Sequence, residues 1–154
     1  MTRLLAALAL LTLFLLPAAA ESTVPVPLSP VPFALNVPQA MAEHLSTAAP
    51  TGPFAEEAVK AGATASTLLM YQPQGGEKTI LLAAYWFPEA KFDAAQKPDE
   101  PPPFGKDVIR EGGMVLSIAG PHDTIFEPET PDGQNVIASQ SIIYEPQNYT
   151  PLNQ

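Results

Sequence analysis

Residues 64–87, TASTLLMYQPQGGEKTILLAAYWF, decide the fold. Two apolar arms flank Gln72–Glu77, and the Gly75-Gly76 pair at the centre is a turn signal, so the stretch reads as an antiparallel hairpin. The second arm is apolar on both faces. Ile80, Leu82, Ala84 and Trp86 alternate with Leu81, Ala83, Tyr85 and Phe87. A strand of that kind needs cover on both sides, which predicts a central strand with helices or other layers above and below it. Leucine and alanine also form helices, but the glycine turn and the prolines at 73 and 88 favour strand.

Outward from that hairpin, PFAEEAVKAG (53–62) reads as a helix. Pro53 suits its first position, Glu56 and Glu57 its first turn, Lys60 its last turn and Gly62 its end, with Phe54, Ala58 and Ala61 as the buried stripe. Upstream, FALNVP (33–38) alternates Phe33, Leu35 and Val37 as a half-buried strand, and PQAMAEHL offers one or two helical turns with His44 as a packed or rim residue. Downstream, PEAKFDAAQ suggests a turn of helix. KPDEPPPFGK is a stiff exposed loop, because Pro98, Pro101, Pro102 and Pro103 each remove a backbone donor. DVIREGGMVLSIAG forms a second hairpin about Gly112-Gly113. Thr130 caps a last helix in which Val136, Ile137, Ile143 and Tyr144 share a face. The fold class is therefore α+β, an antiparallel β-sheet flanked by helices in a single domain. Its expected divisions are a signal peptide at 1–20, a proline-rich extended arm at 21–32, the domain at 33–145 and an extended tail at 146–154.

The order strand, helix, hairpin, loop, hairpin, helix resembles the PsbP/Mog1-like α/β/α sandwich. FALNVP is similar to that family's opening strand, and SIIY (141–144) to its closing segment. The resemblance implies a sandwich and a bias toward non-catalytic accessory or binding proteins. It carries no residue roles, and the proline-rich insert at 96–106 departs from the family's layout.

The first residues, MTRLLAALALLTLFLLPAAAES, set Arg3 before an uncharged apolar run. Pro17 and three small alanines follow. This is a secretory signal pattern, shorter than the roughly 18 residues of a membrane span. The expected location is periplasmic or extracellular, in a bacterium, with no stable membrane insertion after cleavage. The chain contains no cysteine, which removes disulfides, thiol catalysis and thiolate metal sites. Its net charge is −9, with 16 acids against 7 bases, and such a surface repels phosphate backbones, so nucleic acid is excluded as a partner.

The chemistry-bearing residues are few. GPHDTIFEPETPDG (120–133) holds His122, one of two histidines, beside Asp123 and ahead of Glu127, Glu129 and Asp132. Hard cations accept carboxylates and carbonyls, so Asp123, Glu127 and Glu129 are the candidate ligands for a divalent cation; no other cofactor is implied. No G-x-S-x-G, H-E-x-x-H or phosphate-binding glycine loop occurs, so no catalytic residue is assigned. Tyr85, Trp86, the Phe104 loop acting as a lid, and His122 form the candidate binding surface. The resulting expectation is an exported, non-catalytic binding or accessory protein that engages an envelope or secreted protein. One alternative is a small periplasmic hydrolase or metal-assisted enzyme using His122 and the nearby acids. Another is a secreted inhibitor or stress factor contacting its target through 98–103.

Overall fold

The computed structural model describes residues 22–121 and 126–152. Along the chain run β1 (Thr23–Pro27), β2 (Phe33–Pro38), α1 (Gln39–Ala42), β3 (Leu45–Ala48), α2 (Pro53–Ala61), β4 (Ala65–Tyr71) and β5 (Thr79–Pro88). They are followed by α3 (Glu89–Ala95), β6 (Lys106–Glu111), β7 (Met114–Ala119), α4 (Pro131–Gln140), a 3-10 turn at Pro146–Asn148 and β8 (Tyr149–Pro151). The strands form two antiparallel sheets, ordered β1-β2-β8 and β3-β4-β5-β7-β6, which makes the protein α+β.

The two hairpins form where glycine permits them: Gly75 and Gly76, like Gly112 and Gly113, all adopt positive φ. β5 lies at the centre of the larger sheet, between β4 and β7, and both its faces are covered. Leu82 and Ala84 face a core shared with Phe33, Leu35 and Val37 of β2, Val136 of α4, Ile143 and Tyr149. Ala83, Tyr85 and Phe87 face a second core built with Ala58 of α2, Phe92 of α3, Phe104 and Val115. The molecule is thus three layers deep. The small sheet and α4 lie on one side of the large sheet, and α2 and α3 lie on the other. Each large apolar side chain fully buried in this way contributes about 1.5–3 kcal/mol.

The strict alternation expected along β5 breaks once. Leu69 pairs with Leu82, but the next residue, Met70, pairs with Ile80, so Leu81 is an extra residue in the strand. This bulge turns Leu81 into the core, at 1% exposure, and leaves Ile80 outside at 53%.

The prolines of the arm and tail build sheet edges. Residues 21–32 and 146–154, expected outside the domain, supply β1 and β8, which pair with β2 from either side. The bonds Leu28 N–H to Phe33 O and Gln39 N–H to Ser22 O fix which positions of β1 bond to β2. Pro25 and Pro27 fall on the alternate positions, whose backbone groups point away from the sheet, so their missing N–H groups cost no ladder bond. Leu152 N–H to Pro32 O puts Pro151 of β8 in the same situation.

Two helical stripes also differ from expectation. α2 begins at Pro53 and ends at Gly62, whose left-handed backbone lets its N–H reach the carbonyls of Ala58 and Val59. Contact with the sheet is made by buried Ala58 and half-buried Ala61, small residues that let the helix lie close, while Phe54 stands clear at 74% exposure. α4 stops at Gln140, so Ile143 enters the core from the following turn and Ile137 is left outside.

Candidate functional site

The concavity that involves a residue of the expected binding surface lies where the small sheet meets the β6–β7 turn. Pro32, Phe33, Trp86, Glu111, Gly112, Met114, Pro151 and Leu152 line an open groove of about 700 Å³. β5 delivers Trp86 to it: the register pairs Trp86 with Leu116 and Pro88 with Met114, one step from the turn. The indole meets the Phe33 ring edge-on at 5.4 Å, which fixes the aromatic floor. Glu111, exposed at the rim, has no ion-pair partner among the described residues. An apolar aromatic floor beside an unpaired carboxylate suits a cation carried on an aliphatic stem.

The other members of the expected surface are not found there. Tyr85 and Phe104 lie on the opposite face of the large sheet and are buried, at 5% and 7% exposure. Strand alternation is the reason: neighbours in sequence point to opposite faces, so Trp86 cannot share a wall with Tyr85. Phe104 packs edge-on against Tyr85 at 5.4 Å and lies 5.0 Å from Phe87, so the proline-rich loop plugs a core and does not cover a pocket. Burial raises the Tyr85 pKa. Gly105 follows with positive φ, and a Cβ there would collide with the Ile118 carbonyl, so the loop can seat its phenylalanine only with glycine next to it. Within this core Ser117 is buried, and its Oγ has no hydrogen-bond partner among the described residues.

His122 and Asp123 lie outside the described residues. Glu127 and Glu129 are exposed, and no group of three or more metal-ligating side chains occurs among the described residues. The segment's described role is to start α4. Thr130 Oγ1 donates to Glu127 O at 2.7 Å and accepts from Gly133 N–H at 3.1 Å, the cap that the sequence suggests.

Asp132 does more than complement a helix start. Its carboxylate accepts from Tyr71 Oη–H at 2.8 Å and from Gln74 N–H, and Asn135 Nδ2 donates to the same Tyr71 oxygen at 3.0 Å. The His44 ring stacks on Tyr71 at 5.5 Å, and its Nδ1 lies 2.8 Å from Gln72 O, so that nitrogen carries the proton. Phe126 meets Tyr71 edge-on at 5.8 Å. Desolvation raises the Tyr71 pKa, with the Asp132 carboxylate adding to it and the Asn135 bond opposing it. The cluster clasps α4 to the β4–β5 hairpin, and the Tyr71 hydroxyl is fully engaged as donor and acceptor.

A second charged cluster, unmarked in the sequence, centres on Arg110. Its guanidinium donates to Glu89 at 2.9 Å, Asp93 at 3.0 Å and Asp107 at 2.8 Å, and lies over the Phe92 ring at 5.5 Å. The Asp107, Asp93 and Glu89 carboxylates together raise the arginine pKa further, and the network ties β6 to α3. All four side chains are more than a third exposed, so it supplies orientation more than stability.

Comparison with protein-family models, with curated proteins and with solved structures finds no match. Among the described residues no helix is long and apolar enough to cross a membrane.

Proposed function

We propose that this is an exported, non-catalytic binding protein whose contact surface is the Trp86 groove, and that it takes an extended protein segment presenting arginine or lysine among apolar residues. The observation that carries the reading is the pairing of the half-buried Trp86 indole with the exposed Glu111 carboxylate at the groove rim, which has no ion-pair partner among the described residues. A guanidinium laid on Trp86 gains about 0.5–2 kcal/mol from the ring. Glu111 accepts its N–H groups, and Phe33, Met114 and Leu152 take the flanking apolar side chains. The chain's acid-rich balance draws a basic segment toward it. The leader-like residues 1–20 support export. The layout's resemblance to PsbP/Mog1-like sandwiches carries the same accessory bias, and export would make an envelope or secreted protein the partner class.

Trp86 is the chain's only tryptophan, so its emission reports on the groove directly. Titration with a capped Leu-Arg-Leu peptide is expected to shift or quench that emission. The citrulline analogue is expected to act more weakly, and Glu111→Gln to erase the difference between them. Emission indifferent to the arginine peptide up to the millimolar range would remove the groove as the contact surface.

A further inference from the structure

We propose that the outer edge of β3 is a docking edge for an extended strand of another protein, one that carries an aspartate or glutamate opposite Ser46. Among the described residues every sheet edge is blocked except this one. β1 and β8 place Pro25, Pro27 and Pro151 at their outward-facing positions. β6 carries Lys106, Asp107, Arg110 and Glu111 and is bulged between Asp107 and Ile109. These are the devices by which sheets avoid adding foreign strands. β3, Leu45-Ser46-Thr47-Ala48, has no proline, no charge and no bulge.

Its free groups follow from the register. Leu45 faces Tyr71 and Ser46 faces Met70, and Gln72 N–H bonds to His44 O at 2.8 Å, so His44, Ser46 and Ala48 occupy the positions that bond to β4. The N–H and C=O groups of Leu45 and Thr47 therefore point away from the sheet, and no described residue bonds to them. They correspond to the positions that proline fills in β1. An incoming antiparallel strand can engage all four groups by main-chain pairing.

The charge beside this edge selects the occupant. Lys78 reaches across β4 to donate to Ser46 Oγ at 3.1 Å, and its ammonium has no acidic partner among the described residues. A strand with a carboxylate opposite Ser46 supplies that partner. A second copy of this chain using the same four groups would pair Ser46 with Ser46 and bring two Lys78 ammoniums together, so the edge favours a foreign acidic strand.

The test titrates the isotope-labelled protein with a short capped peptide of alternating threonine and valine with a central glutamate, and with its central-lysine counterpart. The glutamate peptide is expected to shift the Leu45 and Thr47 amides and slow their hydrogen exchange, with the lysine peptide roughly fivefold weaker, as one exposed ion pair allows. Thr47→Pro removes an outward N–H while sparing the bonds to β4, and is expected to abolish binding. Lys78→Glu, which leaves the backbone untouched, is expected to reverse the peptide preference. Shifts mapping elsewhere, equal binding by Thr47→Pro, or an unchanged preference in Lys78→Glu would overturn the assignment. A self-associated protein that Thr47→Pro renders monomeric would give the edge to a second copy and overturn it as well.

Discussion

Truncating Phe104 to alanine separates a core plug from a lid. The ring is 7% exposed and lies 5.4 Å from Tyr85 and 5.0 Å from Phe87, with Val115 in the same cluster. Removing a buried phenylalanine side chain costs about 3–5 kcal/mol, and the spread reflects how far the site collapses. The three prolines before Phe104 stiffen the loop, and β7 holds Gly105 close beneath it, so little collapse is expected and the loss belongs in the upper half of that range. With a urea slope of about 2 kcal/mol per molar, the unfolding midpoint falls by roughly 2–2.5 M. Water reaching Tyr85 would also bring its hydroxyl pKa, raised by burial, back toward 10.0. Equilibrium urea unfolding and a spectroscopic tyrosine titration on Phe104→Ala read both effects. A loss below about 1 kcal/mol, with the tyrosine titration unmoved, would mean that the loop merely drapes the surface, and the reasoning would fail.

Tyr71→Phe removes the hydroxyl between Asp132 and Asn135 and is expected to cost about 1–3 kcal/mol, because two half-buried polar groups lose a partner. In a double-mutant cycle with Asp132→Ala, the two losses should fall short of additivity by at least ~0.5 kcal/mol; strict additivity in urea unfolding refutes the clasp. Alkaline stability follows from Tyr71, Tyr85 and Tyr149, each buried and each with its pKa raised above 10.0 chiefly by desolvation. The fold retains protons that the unfolded chain releases. Stability is therefore fully present below pH 10 and declines as pH rises toward the folded-state values, by up to about 1.4 kcal/mol per pH unit for each tyrosine. A flat profile of unfolding free energy from about pH 9 to 11 contradicts this.

The parts of the fold that local chemistry dictates are legible in the sequence. The Gly75-Gly76 and Gly112-Gly113 turns, the two-faced strand at 79–88, the Pro53 and Gly62 limits of α2 and the Thr130 cap each depend on a few adjacent residues. What depends on partners distant in the chain is not. The bulge that turns Ile80 outward arises from pairing with Met70. Phe54 fits a helical stripe by period, yet nothing in its own segment reveals that only Ala58 is buried on the sheet. The prolines at 25, 27 and 151 argue against a sheet interior, but whether they border a sheet depends on β2. For the groove, Trp86 stands out by its rarity and its strand-end position, whereas Phe33, Glu111 and Leu152 reach it from three other parts of the chain. Trp86 and Tyr85 are adjacent in sequence, and the two-residue period of the strand sets them against different cores. The Tyr71–Asp132 clasp leaves no local trace, since its members are 61 residues apart.

β2 lies between the first and the last strand of the described chain. Its β8 side pairs Phe33, Ala34 and Leu35 with Pro151, Thr150 and Tyr149, so the small sheet closes only when a segment more than 110 residues further along the chain reaches it. A chain stalled or clipped before Tyr149 keeps an open edge beside Phe33 and Leu35, two members of the main core. β8 is thus a cover for core residues as well as a sheet edge: its Tyr149 belongs to the same core as the Phe33 and Leu35 it pairs beside.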